Sequence, residues 1–135
     1  MTPTIKVIIP AYNEQDSIAN VINDIPKIVD EVIVVSNNST DHTEINAKNA
    51  GATVLKESKK GYGYACLKGM EYISKQNKKP EIIVFLDGDY SDFPQEIAMF
   101  LEVTGFELQS LTAFPSLEEQ LNKKSWNALC VATAL

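Results

Sequence analysis

The chain has 135 residues, 44% of them hydrophobic, which suffices for one domain with a substantial core. Its 12 basic residues are all lysine and stand against 18 acids, a net charge of −6, so it lacks both the positive field and the bidentate guanidinium that nucleic-acid binding uses. No apolar run reaches the roughly 18 residues that read as a membrane span, and the first apolar run is too short for a signal peptide, so a cytoplasmic chain is expected.

Ile5 to Ile9 is a compact apolar run ended by Pro10 and predicts the first strand. Asn13 to Ser17 then supply capping groups and first-turn acids, and Ile18, Val21, Ile22 and Ile25 fall at helical spacing before Pro26. Glu31 to Val35 repeats the strand signature. The loop that follows leads into a helix with Asp41 and Glu44 as its acidic start and Gly51 at its end. Ala52 to Leu55 predicts a shorter third strand. Lys59 to Tyr64 precede a helix on which Cys66, Met70 and Ile73 share a face; Lys75 to Lys79 form its solvated end and Pro80 closes it.

Ile82 to Leu86 is a continuous, β-branched apolar run, the signature of a parallel strand covered on both faces, and it stops at Asp87, Gly88 and Asp89. Asp92 or Phe93 can cap a further helix, with Pro94 at its first position and Ile97, Ala98 and Leu101 along it. After Leu101 the pattern weakens. Ser116 to Leu121 fits a helix, whereas the apolar end from Trp126 to Leu135 shows no clear strand and reads as a packed helix or the first part of something longer. Strand and helix alternate four times, which argues for an α/β fold built on a mainly parallel sheet with right-handed crossovers. Residues 1–101 carry this pattern and 102–135 are an atypical segment.

Ligands of open α/β sheets lie beyond the carboxyl ends of the strands, where the loops 10–14, 36–41 and 87–92 gather. Asp87 and Asp89 at that edge suit a hard divalent cation such as Mg²⁺ that also grips phosphate oxygens; the same tripeptide suits an ordinary strand-ending turn. Glu14 can accept from a ribose hydroxyl, and Tyr12 offers an aromatic wall. Ser36, Asn37 and Asn38 can meet the edge of a base, or the two asparagines simply make turns. Lys59, Lys60, Gly61 and Gly63 before a helix N-terminus suit a diphosphate, although Gly-Tyr-Gly lacks dinucleotide or Walker spacing. His42, the sole histidine, is expected on the surface. Cys66 and Cys130 have no ligand spacing and read as small apolar residues of a reducing compartment.

In order and spacing, VIIPAYNEQDSI, VIVVSNNSTDHT, KKGYGYACLKGM and IIVFLDGDYSDFP resemble the N-terminal half of the family 2 glycosyltransferases, and within them the polyprenyl-phosphate (dolichyl-phosphate) sugar transferases. The resemblance covers Ile5 to Leu101. It implies a GT-A type nucleotide-diphospho-sugar fold and inverting transfer from a UDP- or GDP-sugar, with Mg²⁺ or Mn²⁺, to an acceptor such as a polyprenyl phosphate or a glycan. By position it implies that Pro10, Ala11, Tyr12 and Glu14 line the nucleoside pocket and that Ser36 and Asn38 belong to the substrate site. Lys60 and Gly61 then lie near the base or phosphates, Asp87 and Gly88 near ribose and diphosphate, and Asp89 with Asp87 at the metal. It further implies work at the cytoplasmic face of a membrane.

Two departures stand out. The family usually carries an acid where this chain has the neutral Ser36 and Asn37. The further strand, acceptor segment and general base that the family needs cannot be placed after Leu101. The expectation is therefore a truncated or altered chain holding the donor half, whose cut sheet edge would favour self-association. A non-catalytic nucleotide-binding fragment is the alternative; a sugar nucleotidyltransferase is a second, against which the loop PAYNEQ counts because it lacks a Gly-rich, Arg-containing signature.

Overall fold

The structure, a computed structural model, describes residues 4–90, Pro94 and the backbone of 130–133. Strand β1 (Ile5–Ala11), helix α1 (Ile18–Asp24), β2 (Glu31–Ser36), α2 (Thr43–Asn49), β3 (Thr53–Lys56), α3 (Tyr62–Ser74), β4 (Ile82–Phe85) and β5 (Cys130–Thr133) follow one another along the chain. The sheet runs β3-β2-β1-β4-β5 with every pairing parallel. Val7 lies at its centre, in register with Val32 on one side and Val84 on the other.

The near-continuous apolar strands are explained by burial on both faces. Ile5, Val7, Ile9 and Ala11 of β1 join Val34, Val84 and the α1 residues Ile18, Val21 and Ile22 in one core. Ile8, Ile33, Val35, Ile83 and Phe85 point the other way and pack on Ala65, Cys66, Met70 and Ile73 of α3. The chain moves outward from β1 to β2 to β3 with α1 and α2 on one face. It then returns to β4 on the far side of β1, so a right-handed crossover places α3 on the opposite face. The order reverses between β1 and β4. That reversal opens a crevice at the carboxyl ends of those two strands.

Contact between α3 and the sheet is close because Gly69 has no side chain: a Cβ there would stand 2.8 Å from Ile8 Cγ2. Cys66 is a free buried thiol whose pKa is pushed up to about 12 by burial, so it serves as an apolar core residue. At the amino-terminal edge of the sheet, Glu31 accepts from Lys6 Nζ at 2.8 Å, Tyr72 Oη at 2.7 Å and Thr53 Oγ1 at 2.9 Å. This network closes the end of the sheet opposite the crevice.

α1 stops at Asp24, short of the expected Ile25, which is extended at φ −68, ψ 129 because Pro26 follows and disfavours the helical region. The larger difference lies near the C-terminus. Cys130–Thr133 form a strand parallel to β4, with Ile83 opposite Val131, where no clear strand is expected from sequence. Alanine and leucine around Val131 and Thr133 give no alternation, and a parallel strand needs none. The helices expected after Pro94 and over Ser116 to Leu121 lie outside the described residues. Among the described residues no helix is long and apolar enough to cross a membrane.

Candidate functional site

A cleft of about 280 Å³ opens where the strand order reverses, lined by Pro10, Ala11, Tyr12, Glu14, Asn37, Tyr62, Ala65, Asp87, Gly88 and Asp89. Each wall follows from a strand end or a helix start. β1 delivers the first wall, and its loop turns through Asn13 at φ 51, a left-handed conformation that asparagine tolerates. Asn13 fastens this loop to the one after β2: its N–H donates to Ser39 Oγ at 3.1 Å, and its Oδ1 accepts from Thr40 N at 2.8 Å. Glu14 N donates to the buried Thr43 Oγ1 at 2.8 Å, while Asp41 accepts from Thr43 N at 2.9 Å in the turn that leads into α2. These bonds join the two loops along one edge of the cleft.

β4 delivers the acids. Leu86 N still donates to Ile8 O at 3.1 Å, extending the ladder, and the chain then leaves the sheet at Asp87. Gly88 is wedged in place: an added Cβ would lie 3.3 Å from Ile18 Cδ1, 3.4 Å from Ile9 Cγ2 and 3.5 Å from Glu14 Cγ. Its carbonyl accepts from Ser17 Oγ at 2.6 Å, which braces the Asp-Gly-Asp turn against the start of α1. Tyr90 follows at φ 64, a conformation uncommon for an aromatic residue and the kind of local strain found at functional sites.

The third wall comes from α3, whose first turn brings in Tyr62 and Ala65. Gly61 caps it at φ 138, a conformation that favours glycine. Asn37 binds this loop from β2: its Nδ2 donates to Glu57 O at 3.0 Å and to Lys59 O at 2.7 Å, and its Oδ1 accepts from Gly61 N at 2.9 Å.

Of the residues picked out from sequence, Pro10, Ala11, Tyr12, Glu14, Asn37, Asp87, Gly88 and Asp89 all line this one cleft. Ser36, Asn38, Lys59, Lys60, Gly61 and Gly63 stand outside its lining. Ser36 is buried, 1% exposed, and its hydroxyl has no hydrogen-bond partner among the described residues. Asn38, at φ 66, donates from Nδ2 to Ser58 O at 2.9 Å and so ties the end of β2 to the loop before α3. Lys60 is exposed, and Gly61 serves as the cap of α3. Tyr62 and Ala65 were not anticipated; their spacing of three on a helix that begins at the cleft is the signal that points to them. His42 is exposed, as expected.

The electrostatics suit a cation. Burial raises the Glu14 carboxyl above its ordinary pKa, and the charges of Asp89, Asp41 and Asp87 raise it further against an opposing Ser17 hydroxyl. Among the described residues no cluster of three His, Cys, Asp or Glu side chains stands ready to hold a metal. Asp87 and Asp89 are hard oxygen donors facing one cleft, and such a pair fits an ion that completes its shell with phosphate oxygens and water.

The family described as Glycosyl transferase family 2 matches residues 6–110. Glucosyl-3-phosphoglycerate synthase from Mycolicibacterium paratuberculosis is 36% identical over 98 residues, covering 64% of this chain and 28% of that protein. Protein RfbJ from Shigella flexneri is 40% identical over 87 residues, 63% of this chain and 64% of its own. The crystal structure of glucosyl-3-phosphoglycerate synthase from Mycobacterium tuberculosis with Mn²⁺, UDP-glucose and phosphoglyceric acid superposes with a TM-score of 0.65 at 31% identity. That match covers 79% of this chain and 42% of the other. The chain thus spans less than two thirds of the length of each.

Proposed function

The chain belongs to the family 2 glycosyltransferases, with an α/β sheet of the GT-A type, and from that premise we propose that it carries the nucleotide-sugar donor site of such a transferase. The observation that carries this reading is the convergence of Asp87 and Asp89 with Pro10, Tyr12 and Glu14 on one cleft at the point where the strand order reverses. A UDP-sugar is the favoured donor, since the solved glucosyl-3-phosphoglycerate synthase holds UDP-glucose and Mn²⁺.

In this reading Tyr12 and Tyr62 flank the nucleoside and Glu14 accepts from the ribose. A bound Mg²⁺ or Mn²⁺, held by Asp87 and Asp89, would supply Lewis-acid stabilisation of the charge that develops on the departing nucleotide. The acids are positioned by the Ser17 hydroxyl and by the packing of Gly88, so little reorganisation is needed when donor binds. The acceptor we assign is a polyprenyl phosphate at the cytoplasmic face of a membrane, supported by the resemblance of the four motifs to that branch. A phosphate acceptor is already anionic near neutral pH and needs little help from a general base. In this scheme residues 1–101 make up the donor domain and residues 102–135 the acceptor side, except that Cys130–Thr133 join the donor sheet as β5.

Incubation with UDP-glucose and Mn²⁺, with and without a polyprenyl phosphate, tests the proposal through released UDP. Release that depends on the acceptor supports it in full. Nucleotide binding without release would reduce it to a non-catalytic donor module, and an absence of binding to any nucleotide would overturn it.

A further inference from the structure

The amide-for-acid departure at Asn37 has a local cause in the chain's own hydrogen bonds. Both Nδ2 hydrogens are committed, one to Glu57 O and one to Lys59 O, and a carboxamide has only two to give. Its oxygen accepts from Gly61 N. Asn38 adds a bond to Ser58 O, so two consecutive residues at the end of β2 grip the loop over residues 57–61. The backbone N–H of Asn37 donates to Ala11 O at 2.8 Å, which fixes the clamp itself to the end of β1. Directly after this loop, α3 begins and presents Tyr62 and Ala65 to the cleft. A carboxylate at position 37 would set its lone pairs against two carbonyl oxygens with no hydrogen to offer either.

We infer that Asn37 is a positioning residue: its amide locks the β3–α3 loop so that the first turn of α3 closes the donor cleft, and it does not read the base. This rests on the donor-site reading above, and it assigns base selection to other groups of the cleft. With its donors spent on Glu57 and Lys59 and its oxygen engaged by Gly61 N, every polar group of the Asn37 side chain is held by the loop.

The experiment compares the full-length wild type with Asn37→Asp, Asn37→Ala and, as a control at the opposite end of the sheet, Lys6→Met. Two readouts are taken: UDP and GDP affinity with Mn²⁺ by calorimetry, and hydrogen exchange of the Gly61 amide. The expected result for Asn37→Asp is a loss of about tenfold or more in affinity for both nucleotides by the same factor, with faster exchange at Gly61. Asn37→Ala should move both readouts the same way. Lys6→Met should lower thermal stability yet leave both affinities within about twofold, which separates loop positioning from general destabilisation. A changed UDP-to-GDP ratio with Gly61 protection intact would show that Asn37 reads the base and would overturn the inference, as would unchanged affinity and exchange. If the wild type binds neither nucleotide, the donor-site reading fails on its own account, while Gly61 exchange in the variants still decides whether Asn37 locks the loop. Should Asn37→Asp not fold, Asn37→Ser carries the same comparison.

Discussion

Ser17 and Gly88 lie 71 residues apart, and the 2.6 Å bond between them holds the acidic turn against α1. Replacing Ser17 by alanine removes the donor while the Gly88 carbonyl stays half-enclosed, and we expect stability to fall by about 1 kcal/mol in urea unfolding. The same variant should bind UDP with Mn²⁺ severalfold more weakly, because Asp87 and Asp89 lose their brace; unchanged affinity would separate this bond from the site. At this scale the sequence was readable wherever a cleft-lining side chain closely follows a strand, as Tyr12, Glu14, Asp87 and Asp89 do. It was not readable at Asn37, whose meaning depends on partners 20 to 24 positions away. Ser36 was misleading for a related reason: adjacent to Asn37 in sequence, it points into the protein and is buried.

Among the elements, α3 couples the core to the cleft. Its lower turns pack on Ile8, Ile33 and Ile83, and its first turn supplies Tyr62 and Ala65. Gly69 sets the approach. Gly69→Ala would press a methyl group into Ile8, and the expected cost is about 1–3 kcal/mol, seen as a lower urea midpoint with an unchanged slope. A neutral or stabilising result would mean that α3 can shift outward freely, and then Tyr62 would not be fixed in the cleft. Three strand-and-helix units and β4 were legible because apolar runs, prolines and helical spacing agree. β5 was not. A parallel strand has no alternation to betray it, and the alanines and leucines beside Val131 suit a helix equally well.

Over the whole molecule the sheet has two different ends, a closed ionic network around Glu31 and an open acidic cleft around Asp89. Burial raises the Glu31 pKa, but hydrogen bonds from Lys6, Tyr72, Gln76 and Thr53 outweigh it and hold the carboxyl at about 2 against an ordinary 4.5. A pKa depressed on folding gives stability that is fully present above pH 4.5 and is lost as pH falls through about 2. Urea midpoints followed from pH 6 to pH 2, within that window, should therefore decline. Lys6→Met should lower stability by roughly 2 kcal/mol at neutral pH and make the acid decline shallower, since Glu31 then has less to lose. A parallel downward shift of the whole profile would contradict this account of the network.

The central claim, a metal-dependent donor site at Asp87 and Asp89, is met most directly by calorimetric titration of UDP into the wild type and Asp89→Asn, each with and without Mn²⁺. The account predicts wild-type binding that requires Mn²⁺ and weakens by about tenfold or more in Asp89→Asn, because one hard oxygen ligand carrying negative charge has gone. Equal affinity with and without Mn²⁺, or an Asp89→Asn variant indistinguishable from wild type, would contradict it.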